Sequence, residues 1–154
     1  MGIGVVIMNT IQEWLRELKK QGTFDFVGIA SNVAKENEPK EIRWLYVVGN
    51  QSEAYKKIRL QVGRGIAGTV WKTARTQLDE NIFEHPEKLI EYPIARLEKL
   101  QVALATPVME QGEVIAVLMI GCREERSFSS QKRDCLENAA LELGPLLKEE
   151  GIND

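Results

Sequence analysis

One stretch limits the fold more than any other: Gly63-Arg64-Gly65-Ile66-Ala67-Gly68-Thr69-Val70-Trp71. It follows the apolar run Ile58, Leu60, Val62 and leads into residues with helical spacing, so it reads as a glycine turn feeding the first turn of a helix. A helix start exposes N–H groups that have no partner inside the helix, and it carries the positive end of the macrodipole. Such a start is a seat for an anion or a polar ligand atom, or it is only a tight turn. Three glycines within six residues allow positive φ and close approach of the backbone to whatever sits there.

The surrounding chain narrows the function classes. Its 154 residues suit one domain, and 44% hydrophobic with 28% charged residues is ordinary globular composition. A formal charge of −3 with both signs interspersed leaves no basic stripe for nucleic acid. The run Gly4-Val5-Val6-Ile7-Met8 is too short for a signal peptide core, and no apolar run reaches membrane-spanning length, so a cytoplasmic protein is expected. Cys122 and Cys135 show neither a C-x-x-C nor a zinc spacing and read as reduced packing residues. The one histidine, His85, stands beside Pro86 in a polar stretch and leaves little material for a metal centre or a catalytic triad.

In chain order, Ile11, Trp14, Leu15 and Leu18 predict an amphipathic helix over 9–21, capped by Asn9 or Thr10 and closed near Gly22, after an extension over 1–8. Phe24 to Val33 reads as a strand, with Phe24, Phe26, Gly28 and Ala30 on one face, where glycine and alanine leave room. Val27 and Ile29 face the other way. Glu41 to Val48 reads as a second strand whose alternation puts Ile42, Trp44, Tyr46 and Val48 together. A short turn at Ser52 to Lys57, a third strand at Ile58 to Val62 and a helix through Thr69 to Ala74 follow, then a short strand at Thr76 to Glu80. From Asn81 to Lys99 the pattern is irregular, with helical turns at most. So long a connection reads as a lid or binding loop.

Gln101 to Met109 and Glu113 to Cys122 flank Gln111-Gly112 and predict a hairpin. Val114 to Ile120 is apolar on both faces, which places that strand centrally, covered on both sides. Phe128-Ser129 opens a last helix over 129–150, in which Pro145 should act as a local break or kink. The prediction is a single α+β domain over 1–154. Its antiparallel sheet carries the terminal helices on one face and a loop-covered ligand pocket on the other.

Gly63 to Val70, Leu104-Ala105-Thr106-Pro107-Val108 and Glu113 to Leu118 together resemble the GAF domain pattern over nearly the whole chain. The resemblance implies a five- or six-stranded antiparallel sheet, helices behind it and a small-molecule pocket in front. Within that family, Asp25 to Asn32, Glu41-Ile42-Arg43-Trp44, Gly63 to Gly68 and Tyr92-Pro93-Ile94 look like the stand-alone nitrate-receptor GAF proteins that modulate an oxygen-responsive sensor histidine kinase. In those receptors, main-chain N–H groups at the helix start and in the pocket loop hold the anion beside a strand tryptophan. The resemblance thus implicates Ile66, Ala67, Ile94 and Trp44, with Tyr92 and Pro93 shaping the loop. It implies nitrate as ligand, no cofactor, no metal and no catalytic residue.

Nitrate spreads one charge over three coplanar oxygens, so a few oriented N–H donors and a helix dipole offset its burial without a buried cation. The indole N–H of Trp44 can only donate and would add to them. Trp44 and Tyr46 read equally as core aromatics of a half-buried strand. Arg64 either raises the potential at the helix start or is a solvated turn residue. The rival readings are a free methionine-R-sulfoxide reductase, an enzyme of the same fold that needs cysteines around the pocket, and an interaction module that forms a homodimer through its terminal helices. A cyclic-nucleotide receptor is disfavoured because the Asn-Lys-Phe-Asp-Glu signature of that branch is missing.

Overall fold

The computed structural model describes residues 3–152, with side chains from Thr10 onward. Its elements are α1 (Ile3–Gly22), β1 (Phe26–Asn32), β2 (Ile42–Val48), α2 (Gly65–Thr73), β3 (Gln77–Asp79), α3 (Pro86–Glu91), α4 (Pro93–Glu98), β4 (Val102–Glu110), β5 (Glu113–Cys122) and α5 (Ser130–Glu149). Short 3₁₀ turns lie at Ala54–Lys57 and Ile82–Glu84. The five strands form one antiparallel sheet in the order β2-β1-β5-β4-β3. The run that is apolar on both faces, β5, is the middle strand, as a strand covered from both sides must be.

Each face of the sheet has its own apolar cluster. Behind it, Val27, Ile29, Leu104, Leu118 and Ile120 meet Ile11 and Leu15 of α1 and Leu136, Leu143 and Leu147 of α5. In front, Phe26, Ala30, Trp44, Ala103, Ala105, Val117 and Met119 meet Ile66, Ala67 and Val70 of α2 and Ile94 and Ala95 of α4. This is the predicted division into a helix-backed face and a segment-covered face. The hairpin turns at Gln111 and Gly112, both at positive φ, as a two-residue connection between twisted strands requires. Ser129 caps α5 by accepting a hydrogen bond from the Lys132 N–H, and the helix runs through Pro145 without ending.

The structure corrects several expectations. Helix α1 starts at Ile3, so Asn9 and Thr10 lie inside it and do not cap it. The apolar spacing of Ile11 simply continues backward through Ile7 and Ile3, and the extension over 1–8 is helical from Ile3 on. Phe24 precedes β1 and joins the rear cluster. The even alternation along β2 breaks at Leu45, where a bulge lets β1 pass from Ile29 opposite Tyr46 to Ala30 opposite Trp44. Trp44 therefore joins the front cluster with Ile42, while Tyr46 and Val48 join the rear one.

Ile58 to Val62 makes only a single bridge, between Leu60 and Ile42, in place of a third strand. The irregular stretch 81–99 is mostly helical. Prolines at the first positions of α3 and α4 lose no hydrogen bond there and start two short helices. The room left by Gly28 is taken by aromatic rings, since a β-carbon there would stand 3.0 Å from Trp44 and 3.1 Å from Phe26.

Candidate functional site

The front cluster brings together residues that lie far apart in the chain. Trp44 comes from β2, Ile66 and Ala67 from the first turn of α2, and Ile94 from the first turn of α4, and all four belong to one buried cluster. Tyr92 and Leu97 are partly buried against it, and Pro93 is half-buried at the start of α4.

The glycine turn sets the α2 start. Gly65 sits at φ +66°, a conformation strained for any residue with a side chain, and any β-carbon on it would also press on Leu60 at 2.9 Å. Gly68 permits a closer approach: a β-carbon there would stand 2.5 Å from the Gln61 carbonyl oxygen. The turn is closed by the Gly63 N–H donating to the Gly68 carbonyl at 2.8 Å and the Arg64 N–H donating to that of Gln61 at 3.0 Å. Arg64 is exposed, and its side chain does not cap the helix. The hydroxyl of Thr69 is turned back onto the Gly65 carbonyl at 2.7 Å and is taken up within the helix.

What remains is a set of buried donors. Among the described residues, the N–H groups of Ile66 and Ala67 find no backbone or side-chain acceptor, although the residues are only 2% and 0% exposed. At the α4 start the Tyr92 carbonyl accepts from Ala95 and Arg96, and the N–H of Ile94 between them and Pro93 is likewise left over. Trp44, 4% exposed, has a fully buried Nε1–H with no partner. Buried donors are almost always paired, and each one left over costs about 1–3 kcal/mol. Donors of this kind, at two helix starts and on a strand indole that share one apolar cluster, suit an acceptor-rich anion.

Tyr92 takes a different part. Its hydroxyl accepts a hydrogen bond from Gln77 Nε2 at 3.1 Å, and the same amide donates to Asp79 at 2.6 Å. Burial first, and then the nearby Asp79 carboxylate, push the Tyr92 hydroxyl above its ordinary value of 10.0. Lys88 of α3 pairs with the buried Asp79 at 3.4 Å. The covering segment is thus tied to the edge strand β3 by polar contacts.

Neither cysteine belongs to the front cluster. Cys122 is buried in the rear cluster and Cys135 is exposed on α5; both are free thiols. His85 is exposed and faces Glu87 at 3.3 Å. Among the described residues no group of side chains could hold a metal ion, and no helix is long and apolar enough to cross a membrane. The sequence did not single out Glu98 and Arg123, whose pairing at 2.7 Å ties the buried Glu98 at the end of α4 to the partly exposed Arg123 after β5. In a stretch that also holds Arg96 and Lys99, nothing in the sequence sets Glu98 apart as buried.

A single antiparallel sheet with long terminal helices behind it and short helices over its front face defines an α+β module. The chain belongs to the GAF domain family, whose model matches residues 6–147. It is similar to two solved structures of NreA from Staphylococcus aureus mutated in its nitrate binding site. One is 35% identical, covering 81% of this chain and 91% of that one, with a TM-score of 0.75. The other is 33% identical, covering 84% of this chain and 98% of that one, also with a TM-score of 0.75. A type II free methionine-R-sulfoxide reductase from Thermoplasma acidophilum superposes with a TM-score of 0.75 over 97% of this chain and 96% of that one. At 20% identity that likeness concerns the fold alone. No curated protein sequence matches the chain.

Proposed function

We propose that this protein is a nitrate receptor that signals through a partner sensor histidine kinase in the cytoplasm. The observation that carries the reading is the unpartnered, fully buried indole N–H of Trp44, in one cluster with the uncapped start of α2. Nitrate has the fitting chemistry: it is compact, carries a single charge and only accepts hydrogen bonds. The N–H groups of Ile66, Ala67 and Ile94 and the Trp44 indole would hold it, with the α2 dipole adding attraction. Tyr92 and Pro93 would set the position of the α4 start. No cofactor takes part.

Binding then has a mechanical consequence. The Phe83 to Leu97 segment covers the site and contributes Ile94, so an occupied site favours its closed position. The surface shown to the kinase changes with it, and the shift equals the difference in nitrate affinity between the two positions. Similarity to NreA structures supports the nitrate reading, and the distance of both cysteines from the front cluster favours a receptor over a thiol-dependent reductase. A homodimer would form through the terminal helices α1 and α5.

Calorimetric titration of the purified chain with nitrate, nitrite and chloride tests the reading. Saturable heat with nitrate supports it. No heat with any of the three anions leaves the interaction module as the better account.

A further inference from the structure

One charged contact lies at the joint between the elements that hold the donors. Glu98, the last residue of α4, is 0% exposed, and its Oε1 accepts from Arg123 Nη2 at 2.7 Å and from the Gln51 N–H at 2.9 Å. Arg123 follows β5 directly. Its Nη2 also donates to the Gly49 carbonyl just past β2, its Nε to the Glu98 carbonyl, both at 2.9 Å, and its own N–H to Asp25 Oδ2 ahead of β1 at 2.7 Å. One guanidinium therefore registers the end of β2, which carries Trp44, against the end of α4, which carries Ile94, with the sheet as base.

The cost of this arrangement points to its use. A carboxylate with no exposure, whose Oε2 has no partner, is expensive to keep when an apolar side chain would fill the same space. Simple packing does not call for it, whereas fixing the mutual orientation of two donor-bearing elements does. A planar fork is the side chain that can bind several carbonyl and carboxylate oxygens at set angles.

We propose that Arg123 and Glu98 are positioning residues for the anion site, holding the α4 start and β2 in the spacing that lets Ile94 and Trp44 donate to one ligand. This rests on the nitrate reading above. Neither side chain is required to touch the anion.

The test uses the 154-residue chain and the variants Arg123→Lys, which keeps the charge and gives up the fork, and Glu98→Gln, which keeps the shape and gives up the charge. Nitrate titrations are run well below each variant's unfolding midpoint, with ¹H–¹⁵N spectra of the nitrate-free proteins. Arg123→Lys should weaken nitrate binding by about tenfold and Glu98→Gln by about threefold. The Ile94 amide and Trp44 indole signals should move in the absence of nitrate. A merely stabilising pair would lower the unfolding midpoint yet leave affinity within twofold and both signals in place, which overturns the proposal. Should one variant fail to fold, the other decides by the same two readouts. If the parent chain itself fails to bind nitrate, the receptor reading falls; if the parent binds and both variants bind as well, only the positioning role falls.

Discussion

Replacing Trp44 with phenylalanine separates binding from packing at the site. The substitution keeps an aromatic ring on the front face against Phe26, which it now meets edge-on at 6.2 Å, and removes the indole donor. A hydrogen bond to a charged partner contributes about 1.5–3 kcal/mol. Nitrate affinity should therefore fall by roughly 10- to 150-fold. Stability without nitrate should behave differently. Deleting a buried donor that has no partner relieves about 1–3 kcal/mol, and the smaller ring leaves a cavity that costs a comparable amount. The two terms oppose each other, so the unfolding free energy should stay within about 2 kcal/mol of the parent. Isothermal calorimetry gives the first quantity and urea unfolding in nitrate-free buffer the second. An unchanged affinity would remove Trp44 from the site. A loss of about 3 kcal/mol or more in stability with no matching change in affinity would make it a core ring only.

Other expectations are as direct. Saturating nitrate, at about 100 times its dissociation constant, should stabilise the parent chain by about 2.7 kcal/mol and raise its thermal midpoint, while the Trp44→Phe variant at the same concentration shows a smaller rise. Gly68→Ala should destabilise the fold by about 1–3 kcal/mol in chemical unfolding, because the new β-carbon would stand 2.5 Å from a backbone oxygen that cannot swing away. Burial raises the hydroxyls of Tyr46, Tyr55 and Tyr92 above 10.0 in the folded chain. Their contribution is intact below the unfolded value of 10 and is lost as pH rises through the raised values, so Tyr92→Phe should flatten the fall in unfolding midpoint above pH 10. Cys135→Ser, on an exposed helix face, should leave stability within about 0.5 kcal/mol and nitrate titrations unchanged, and the parent should show no thiol-dependent reduction of methionine sulfoxide.

Where local chemistry decided the structure, the amino-acid order alone was enough to read it. Gln111-Gly112 admits the positive φ of a tight hairpin, Ser129 supplies a helix cap, and the unbroken apolar run of β5 could only be a covered central strand. The glycine turn before α2 was legible for the same reason, through positive φ at Gly65 and close approach at Gly68.

Features set by tertiary pairing were not. The bulge at Leu45 is defined by what lies opposite in β1, and it alone sends Trp44 to the front and Tyr46 to the rear. Leu60 pairs with Ile42 through one bridge in place of a third strand, because pairing depends on what lies opposite and not on the apolar alternation of Ile58 to Val62. The short helices α3 and α4 are each six residues long, too short for a periodic signal to stand out. The residues proposed for the ligand were named through family likeness. That Trp44, Ile66, Ala67 and Ile94 share one cluster, with donors left unpartnered, is set by the tertiary fold, as is the Glu98 and Arg123 tie, since a charged residue inside a polar stretch gives no sign of burial.

The central claim is that specific N–H groups from three separate elements hold one small anion. Titrating ¹⁵N-labelled protein with nitrate tests it most directly. The Trp44 indole and the Ile66, Ala67 and Ile94 amide signals should move together along one binding curve, to the low-field positions of newly hydrogen-bonded protons. Nitrate binding that leaves these signals still, while others move, would contradict the account.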